Sequence, residues 1–113
     1  MFTYKATCRR VIDGDTIVVD IDLGFNITYA DVALRLYGIN TPELKSKDPA
    51  EKLAARAAKE RVQELLPEGS TILVKTIKDE KEKFGRYLAL VFDPNDREIN
   101  KLLLEEGLAQ HYE

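Results

Sequence analysis

Two carboxylates separated by a glycine are the first residues along this chain whose types and spacing could do chemistry. Asp13 and Asp15 flank Gly14, and Thr16 follows directly. Carboxylates two residues apart in an extended segment point to one side, and glycine allows a bulge that brings them together. A hard divalent cation prefers such oxygen ligands, so the pair is a candidate metal site. The same four residues also fit an ordinary hairpin turn, in which Asp-Gly is common.

Two arginines stand next to apolar runs, where a guanidinium needs a partner. Arg35 lies inside the apolar segment 32–37, and Arg86 follows Gly85 at the start of another apolar run. A guanidinium is costly to bury without an anion, and its planar fork suits bidentate binding of a carboxylate or phosphate. Arg35 is therefore a candidate anion ligand, and Gly85 could aim the guanidinium of Arg86 inward. The alternatives are a solvent-facing position for Arg35 and a plain hairpin end at Arg86.

A short polar segment, residues 40–43, combines a fixed backbone with two further oxygen groups. Pro42 restricts Thr41 to an extended conformation and so fixes the direction of the Thr41 carbonyl. Asn40 offers a neutral amide oxygen, and Glu43 offers a carboxylate that could act as a general base. The alternative is a strand end with a glutamate on the surface.

The elements that would position these residues are mainly strands. β-branched and aromatic residues predict five of them, over residues 3–12, 16–22, 27–39, 71–77 and 86–92. Strict alternation along the third strand, continued to the residue after it, would put Arg35 and Asn40 on opposite faces. The two side chains converge only where that strand bends, and Gly38 is the expected place.

Two helices complete the predicted elements. Asp48 is a suitable N-cap, Pro49 suits the first helical position, and Glu51 completes a capping-box pattern. The apolar stripe of this helix is expected to contain Leu53, Ala54, Ala57, Ala58, Val62, Leu65 and Leu66. A second, short helix is predicted over residues 99–106, with Gly107 as the residue after its end.

Three strands, a helix, two strands and a helix follow one another in the order of an OB-fold barrel. The sequence therefore favours an α+β, mainly β fold, a five-stranded Greek-key OB barrel with two helices. Residues 1–113 are expected to form a single domain. A two-layer α+β sandwich would have the same element order.

The composition excludes several classes of site and partner. The chain has one cysteine, Cys8, and one histidine, His111, so an internal disulfide, a cysteine-based zinc cluster and a multi-histidine metal site are excluded. With 20 acidic and 17 basic residues, its net charge of −3 argues against a duplex-DNA binder held by bulk charge. No apolar run approaches the roughly 20 residues that span a bilayer, and no signal-peptide core is visible. We expect a cytoplasmic monomer without membrane association, or a secreted protein if a signal peptide has been removed.

Four motifs taken together resemble the staphylococcal-nuclease-like, or thermonuclease, family. They are IDGDT, RLYGINTPE, KFGRYLALVF and INKLLLEEGLA, and the resemblance runs from about Val11 to Ala109. It implies the five-stranded OB barrel and a metal-dependent endonuclease that hydrolyses phosphodiester bonds of DNA, RNA or both, with 3′-phosphate products. We expect single-stranded substrate to be preferred, because the cleaved phosphate must reach a pocket between two arginines.

The resemblance implies a metal site built from oxygen ligands. Asp15, Asn40 and the carbonyl of Thr41 resemble the family's ligands of a divalent cation, expected to be calcium, with magnesium or manganese as alternatives. Asp13 resembles an acid beside that site. Asn40 is a departure, because the family usually has an aspartate there. The missing negative charge predicts weaker calcium binding.

The resemblance also implies the residues that act on the phosphate. Glu43 resembles the carboxylate that activates water, and Arg35 and Arg86 resemble the pair of arginines that clamps the phosphate. The candidate substrate-binding residues are Lys45, Lys47 and Tyr112. The tyrosine ring could stack on a base. The rival hypothesis, favoured by Asn40 alone, is a non-catalytic OB module that binds nucleic acid or protein.

Overall fold

Nine regular elements lie within residues 2–77, 81 and 83–112, which are the residues that this computed structural model describes. The strands are β1 (Thr3–Asp13), β2 (Thr16–Asp22), β3 (Thr28–Leu36), β4 (Ile39–Asn40), β5 (Thr71–Thr76), β6 (Tyr87–Phe92) and β7 (Gln110–His111). The helices are α1 (Pro49–Leu65), between β4 and β5, and α2 (Ile99–Glu105), between β6 and β7. Over the same residues, neither helix has the length and apolar character needed to cross a membrane.

Five strands close into a barrel in the order β1-β2-β3-β6-β5, and β5 pairs back onto β1. β1, β2 and β3 form an antiparallel meander, and β5 and β6 form an antiparallel pair. The barrel closes where β3 runs parallel to β6, over only three residue pairs that begin with Leu34 and Tyr87 and end with Leu36 and Ala89. The closed sheet with its two helices confirms the OB-type barrel and excludes the two-layer sandwich.

The core lies inside the barrel, on alternate residues of the strands. Its fully buried side chains include Ile17, Val19, Leu34, Leu36, Val74 and Val91. In β3 the buried residues alternate with half-buried ones, among them Arg35, because successive side chains of a strand point to opposite faces. The alternation therefore directs Arg35 away from the core.

α1 packs against β1 with a face that differs in part from the predicted stripe. Its buried residues are Ala55, Ala58, Val62 and Leu65. Its exposed residues include Leu53, Ala54 and Ala57. The prediction is wrong at those three positions and misses Ala55. Four of the five residues from 54 to 58 are alanine, so two neighbouring faces have the same apolar spacing and periodicity alone does not separate them.

The start of α1 has the predicted N-cap but not the predicted capping box. The carboxylate of Asp48 accepts a hydrogen bond from Ala50 N at 3.1 Å. Asp48 N already donates to the hydroxyl of Ser46 at 3.1 Å, so it is not available to Glu51. The Glu51 carboxylate instead accepts from Glu43 N at 3.5 Å, and it thereby ties α1 to the segment that carries Glu43.

The third predicted strand is interrupted by a bend and continues as β4. β3 ends at Leu36, Gly38 adopts a φ of +81°, and β4 begins at Ile39. The bend lies at the glycine where the sequence predicts it. β4 pairs with β7 in a second, two-stranded sheet that has no counterpart among the predicted elements. α2 ends as predicted, with Gly107 at a φ of +73° directly after its C-cap.

Candidate active site

One cleft gathers almost all of the polar residues that the sequence singles out. It lies beside the turn between β1 and β2 and has a volume of about 1100 Å³. Its lining contains the predicted site residues Asp13, Asp15, Arg35, Asn40, Thr41, Glu43, Lys45, Arg86 and Tyr112. Lys47 is exposed and does not line the cleft. The fold therefore brings together candidates from the first strand to the last.

Asp15 is the centre of the hydrogen-bond network on the cleft wall. It is only 8% exposed, and its carboxylate accepts hydrogen bonds from the hydroxyl of Thr16 and from Thr41 N, each at 3.2 Å. Arg35 Nη1 lies 3.2 Å from the same carboxylate oxygen that accepts from Thr41 N. A buried carboxylate with this many donors is held in one orientation.

Arg35 and Asn40 meet across the bend at Gly38. Arg35 Nη2 donates to the amide oxygen of Asn40 at 3.2 Å, and Nη1 donates to the carbonyl of Leu36 at 3.3 Å. The Arg35 side chain is 11% exposed and that of its partner Asp15 is 12% exposed. The solvent-facing alternative for Arg35 is therefore wrong, because its guanidinium lies in the cleft wall against a carboxylate.

The bend that joins Arg35 to Asn40 is held from two sides. On one side, Tyr112 N donates to the carbonyl of Gly38 at 2.9 Å, next to the β4–β7 pairing. On the other side, the amide nitrogen of Asn100 donates to the carbonyls of Tyr37 and Ala89 at 2.9 and 3.1 Å. The amide oxygen of Asn100 accepts from the backbone N–H of Val91 at 3.1 Å.

Asn100 is a residue that the sequence prediction misses. It is 3% exposed and lies in the first turn of α2, a helix that the sequence predicts from its apolar residues. Its side chain links the end of β3 to β6, the two strands that precede Asn40 and follow Arg86. The only signal in the sequence is a single asparagine beside the apolar residues Ile99, Leu102, Leu103 and Leu104.

Arg86 enters the cleft from the other side, after Gly85, whose φ is +81°. Arg86 Nη1 donates to the hydroxyl of Thr16 at 3.2 Å, and that hydroxyl donates to Asp15. The two arginines are thus connected through one carboxylate and one hydroxyl. Thr16 is 4% exposed and is not among the predicted site residues, because a threonine at a strand start is too common to single out.

Aromatic side chains lie over both guanidinium groups. The Arg35 guanidinium carbon lies 5.6 Å from the ring centroid of Tyr112, and that of Arg86 lies 5.4 Å from the ring centroid of Phe84. Both rings remain accessible, at 58% and 70% exposure. Phe84 also has the ammonium of Lys83 at 5.0 Å. The sequence prediction misses Phe84 as a cleft residue.

The cleft also gathers negative charge. Burial raises the pKa of the Asp13 carboxyl above its usual value, and the carboxylates of Asp15 and Glu43 raise it further. The cations Lys59 and Arg86 oppose that shift. Glu43 itself is exposed at the rim. Across the described ranges, no group of three or more His, Cys, Asp or Glu side chains is arranged to hold a metal ion, so any oxygen site would have to include amide or carbonyl oxygens.

Gly14 and Thr41 show how tightly the turn and α1 are packed. A Cβ atom on Gly14 would lie 2.8 Å from Ala58 Cβ and 2.9 Å from Thr41 Cγ2. Glycine is therefore required by the close approach of the helix. The hydroxyl of Thr41 is buried and has no hydrogen-bond partner among the described residues, so one polar oxygen faces this packed region without a donor.

Comparison with known proteins places this chain in a family. A family model described as staphylococcal nuclease homologue matches residues 33–113. The thermonuclease of Staphylococcus intermedius is 34% identical over 103 residues, which cover 90% of this chain and 56% of that protein. The thermonuclease of Staphylococcus hyicus is 35% identical over 109 residues, covering 96% of this chain and 58% of that protein.

A third relative comes from another genus. The endonuclease YncB of Bacillus subtilis (strain 168) is 35% identical over 106 residues, covering 94% of this chain and 47% of that protein. The chain spans about half the length of the curated relatives it matches.

Proposed function

Because this chain belongs to the staphylococcal nuclease family, we propose that it is a nuclease that hydrolyses phosphodiester bonds of DNA or RNA in the cleft between Arg35 and Arg86. The observation that carries the proposal is that both arginines converge on the Asp15–Thr16 pair, with Glu43 on the rim of the same cleft. Relatives that match most of this chain are named thermonuclease or endonuclease.

The two arginines would bind the phosphate that is cleaved. Each guanidinium presents planar N–H donors, which suit charge-assisted and bidentate hydrogen bonds to phosphate oxygens. Those oxygens gain negative charge as the attacking oxygen approaches phosphorus, so fixed donors stabilise the transition state more than the ground state. A phosphate would have to compete with Asp15 for Arg35, which favours a substrate that brings further contacts.

Glu43 would act as the general base. Its carboxylate would take a proton from water as the water oxygen bonds to phosphorus. The bond from phosphorus to the 5′ oxygen would then break, leaving a 3′-phosphate on one product. The 5′ oxygen would take up a proton from solvent and become a hydroxyl. The exposed position of Glu43 at the rim, with its backbone N–H held by Glu51 at 3.5 Å, supports access of water to this carboxylate.

The oxygen groups of the cleft are of the type that a hard divalent cation prefers, but they carry little negative charge. Asp15, Asn40 and the Thr41 carbonyl would hold it, with Asp13 nearby, and such oxygen donors suit calcium or magnesium. A bound cation would supply charge neutralisation at the phosphate. Arg35 already lies 3.2 Å from both the Asp15 carboxylate and the Asn40 amide oxygen. The cation is therefore expected to bind weakly by itself and better when a phosphate draws Arg35 away.

The contact of Arg35 with Asp15 and Asn40 also favours a second candidate function, a module that binds nucleic acid and does not cut it. Arg35 engages both side-chain oxygens that the cation would need, and Asn40 supplies no negative charge. In that case, the arginines and aromatic rings would hold phosphates and bases, while the bond would stay intact.

Cleavage of labelled single-stranded DNA and RNA distinguishes the two candidates. We expect the parent to cut at least one substrate with added calcium, magnesium or manganese and not with a chelator. Glu43→Gln should lower the rate by about 100-fold or more, the low end for a general base. Glu60→Gln, an exposed carboxylate outside the cleft, is the matched control and should keep the parent rate. Binding without cleavage under all three ions would favour the module.

A further inference from the structure

The basic residues of α1 lie together on one side of the helix. Lys52, Arg56 and Lys59 are spaced by four and three residues, which places them on one face at 3.6 residues per turn. We call these three residues the basic flank. Arg61 lies on the opposite side of the buried stripe and binds Glu106, next to the end of α2, through two hydrogen bonds of 2.8 Å. The basic flank therefore points away from α2.

The basic flank begins at the edge of the cleft. Ala58 packs against the turn between β1 and β2, where a Cβ on Gly14 would lie 2.8 Å away. The next residue, Lys59, is half-buried and near enough to Asp13 for its charge to act on that carboxyl. Lys45, in the segment before α1, lines the cleft itself. Positive charge thus continues from the cleft wall onto the helix.

Arg56 in the basic flank differs from most other arginines of the molecule in its surroundings. Arg9, Arg10, Arg61 and Arg97 each lie 2.8 to 3.9 Å from a carboxylate. Within the part of the chain that the structure describes, Lys52, Arg56 and Lys59 form no ion pair of this kind. Such cations in a row create a local positive potential and suit a polyanion, whose bound counterions they release.

Building on the proposed function, we propose that the basic flank and Lys45 bind the phosphates of nucleotides next to the cleaved bond. The substrate would then be a single strand several nucleotides long, which leaves the cleft along α1. Lys52 and Lys59 are about 10 Å apart along the helix axis, at 1.5 Å per residue, which is enough for more than one phosphate. On a protein of net charge −3, such a local row of cations has to provide the attraction that the whole molecule does not.

Binding of oligonucleotides of two lengths tests this proposal. The flank variant combines Lys52→Gln, Arg56→Gln and Lys59→Gln in a Glu43→Gln background, and a chelator is added so that the probes stay uncut. Glutamine preserves helix propensity. Fluorescence anisotropy would measure its affinity for labelled single-stranded DNA of about 12 nucleotides and for a labelled dinucleotide, over a series of salt concentrations.

A second variant controls for net charge. It combines Lys5→Gln, Arg10→Gln and Lys101→Gln in the same background. Like the flank variant it removes two lysines and one arginine, but from exposed positions outside the cleft. We expect the flank variant to bind the longer strand about tenfold or more weakly, and the control to bind it about twofold more weakly. The salt slope of log K should fall by about 0.7 for each phosphate that the protein no longer neutralises, and only in the flank variant.

Two outcomes would overturn the proposal, and both are separable from failure of the nuclease. Equal weakening in the flank and control variants would show that only net charge matters. Equal weakening for the dinucleotide and the longer strand would place the flank at the cleaved phosphate and not beyond it.

If the flank variant does not fold, Arg56→Glu alone, at an exposed position, should still weaken binding of the longer strand more than Lys101→Glu does. If the parent cuts the longer strand while the flank variant behaves like the control, the proposal for the basic flank fails and the proposed nuclease activity stands. If the parent binds through the basic flank and never cuts, the proposed nuclease activity fails and the proposal for the basic flank stands.

Discussion

Arg35 is bound by three acceptors at once, the Asp15 carboxylate, the Asn40 amide oxygen and the Leu36 carbonyl. A buried guanidinium needs such partners, because an unpaired one would cost several kcal/mol. The apolar neighbours of Arg35 predict that an anion must be close, but they do not identify it. The anion comes from the turn between β1 and β2, twenty residues earlier in the chain, and short-range patterns carry no information about that contact.

Replacing Asn40 by aspartate should strengthen cation binding. Asn40→Asp adds a negative charge to an oxygen group that Arg35 and the proposed cation share, and calcium affinity rises with ligand charge. We expect the calcium affinity of the free protein to rise by about tenfold or more, measured by isothermal titration calorimetry without nucleic acid. Asn95→Asp, at an exposed turn, is the matched control. Equal affinities of Asn40→Asp and the parent would remove residue 40 from the proposed metal site.

Cys8 should be unreactive until the protein unfolds. It is fully buried, and burial, with a smaller contribution from Glu68, raises its pKa from 9.0 to about 11. At about pH 8 the native thiol is protonated and inaccessible, and the thiolate is the reactive form. We expect Ellman's reagent to react only at the rate of unfolding.

The same shift predicts a loss of stability at high pH. The unfolded thiol ionises at a lower pH than the folded one, so unfolding releases a proton between about pH 9 and pH 11 and becomes more favourable as pH rises through that range. In urea denaturation, the stability gap between the parent and Cys8→Ala should narrow from about pH 8 to about pH 10.5. A gap that stays constant would contradict the shift.

At the scale of elements, the bend between β3 and β4 depends on a side chain from α2. Asn100 makes three hydrogen bonds to backbone groups of Tyr37, Ala89 and Val91. Asn100→Ala leaves these groups unsatisfied in a buried place, which should destabilise the protein by about 2 to 4 kcal/mol. Urea denaturation measures this change. Asn95→Ala removes an exposed side chain that makes no hydrogen bond to the residues that the structure describes, and it should cost less than about 0.5 kcal/mol. Equal effects of the two variants would show that Asn100 does not hold the bend.

Long elements could be predicted from the sequence, and very short ones could not. Five strands and two helices are long enough to leave a periodic pattern, and the bend at Gly38 is placed correctly by the positive φ that glycine allows. β4 and β7 have two residues each, which is too short for any pattern. The predicted buried face of α1 is partly wrong because four alanines make two faces alike, and the predicted capping box is wrong because the Glu51 carboxylate reaches Glu43 N instead.

At the scale of the whole molecule, the net negative charge of the protein opposes binding of the proposed substrate, which is itself an anion. The sequence has a pI near 5.3 and a net charge of −3, so a nucleic acid is not attracted by the molecule as a whole. Local attraction would instead come from the four cations that line the cleft and from the three cations of the basic flank. Composition predicts the overall charge, but it cannot predict this placement, since the placement depends on which side of α1 faces solvent.

The parallel contact of β3 with β6 has a further consequence for folding. It comprises three residue pairs, such as Arg35 with Leu88, which are 88 − 35 = 53 positions apart along the chain. Contacts between distant segments close large loops and are made slowly.

We expect this parallel β3–β6 contact, the seam of the barrel, to be among the last contacts to form and the first to open. In native-state hydrogen exchange, the Tyr37 amide, bonded to Ala89 across the seam at 2.9 Å, should be less protected than interior amides of the β1–β2 ladder. Equal protection would contradict this order. Because Arg35 and Arg86 stand on opposite sides of the seam, each such opening would separate the arginines while the rest of the barrel stays folded, and the proposed catalytic activity would disappear and return without global unfolding.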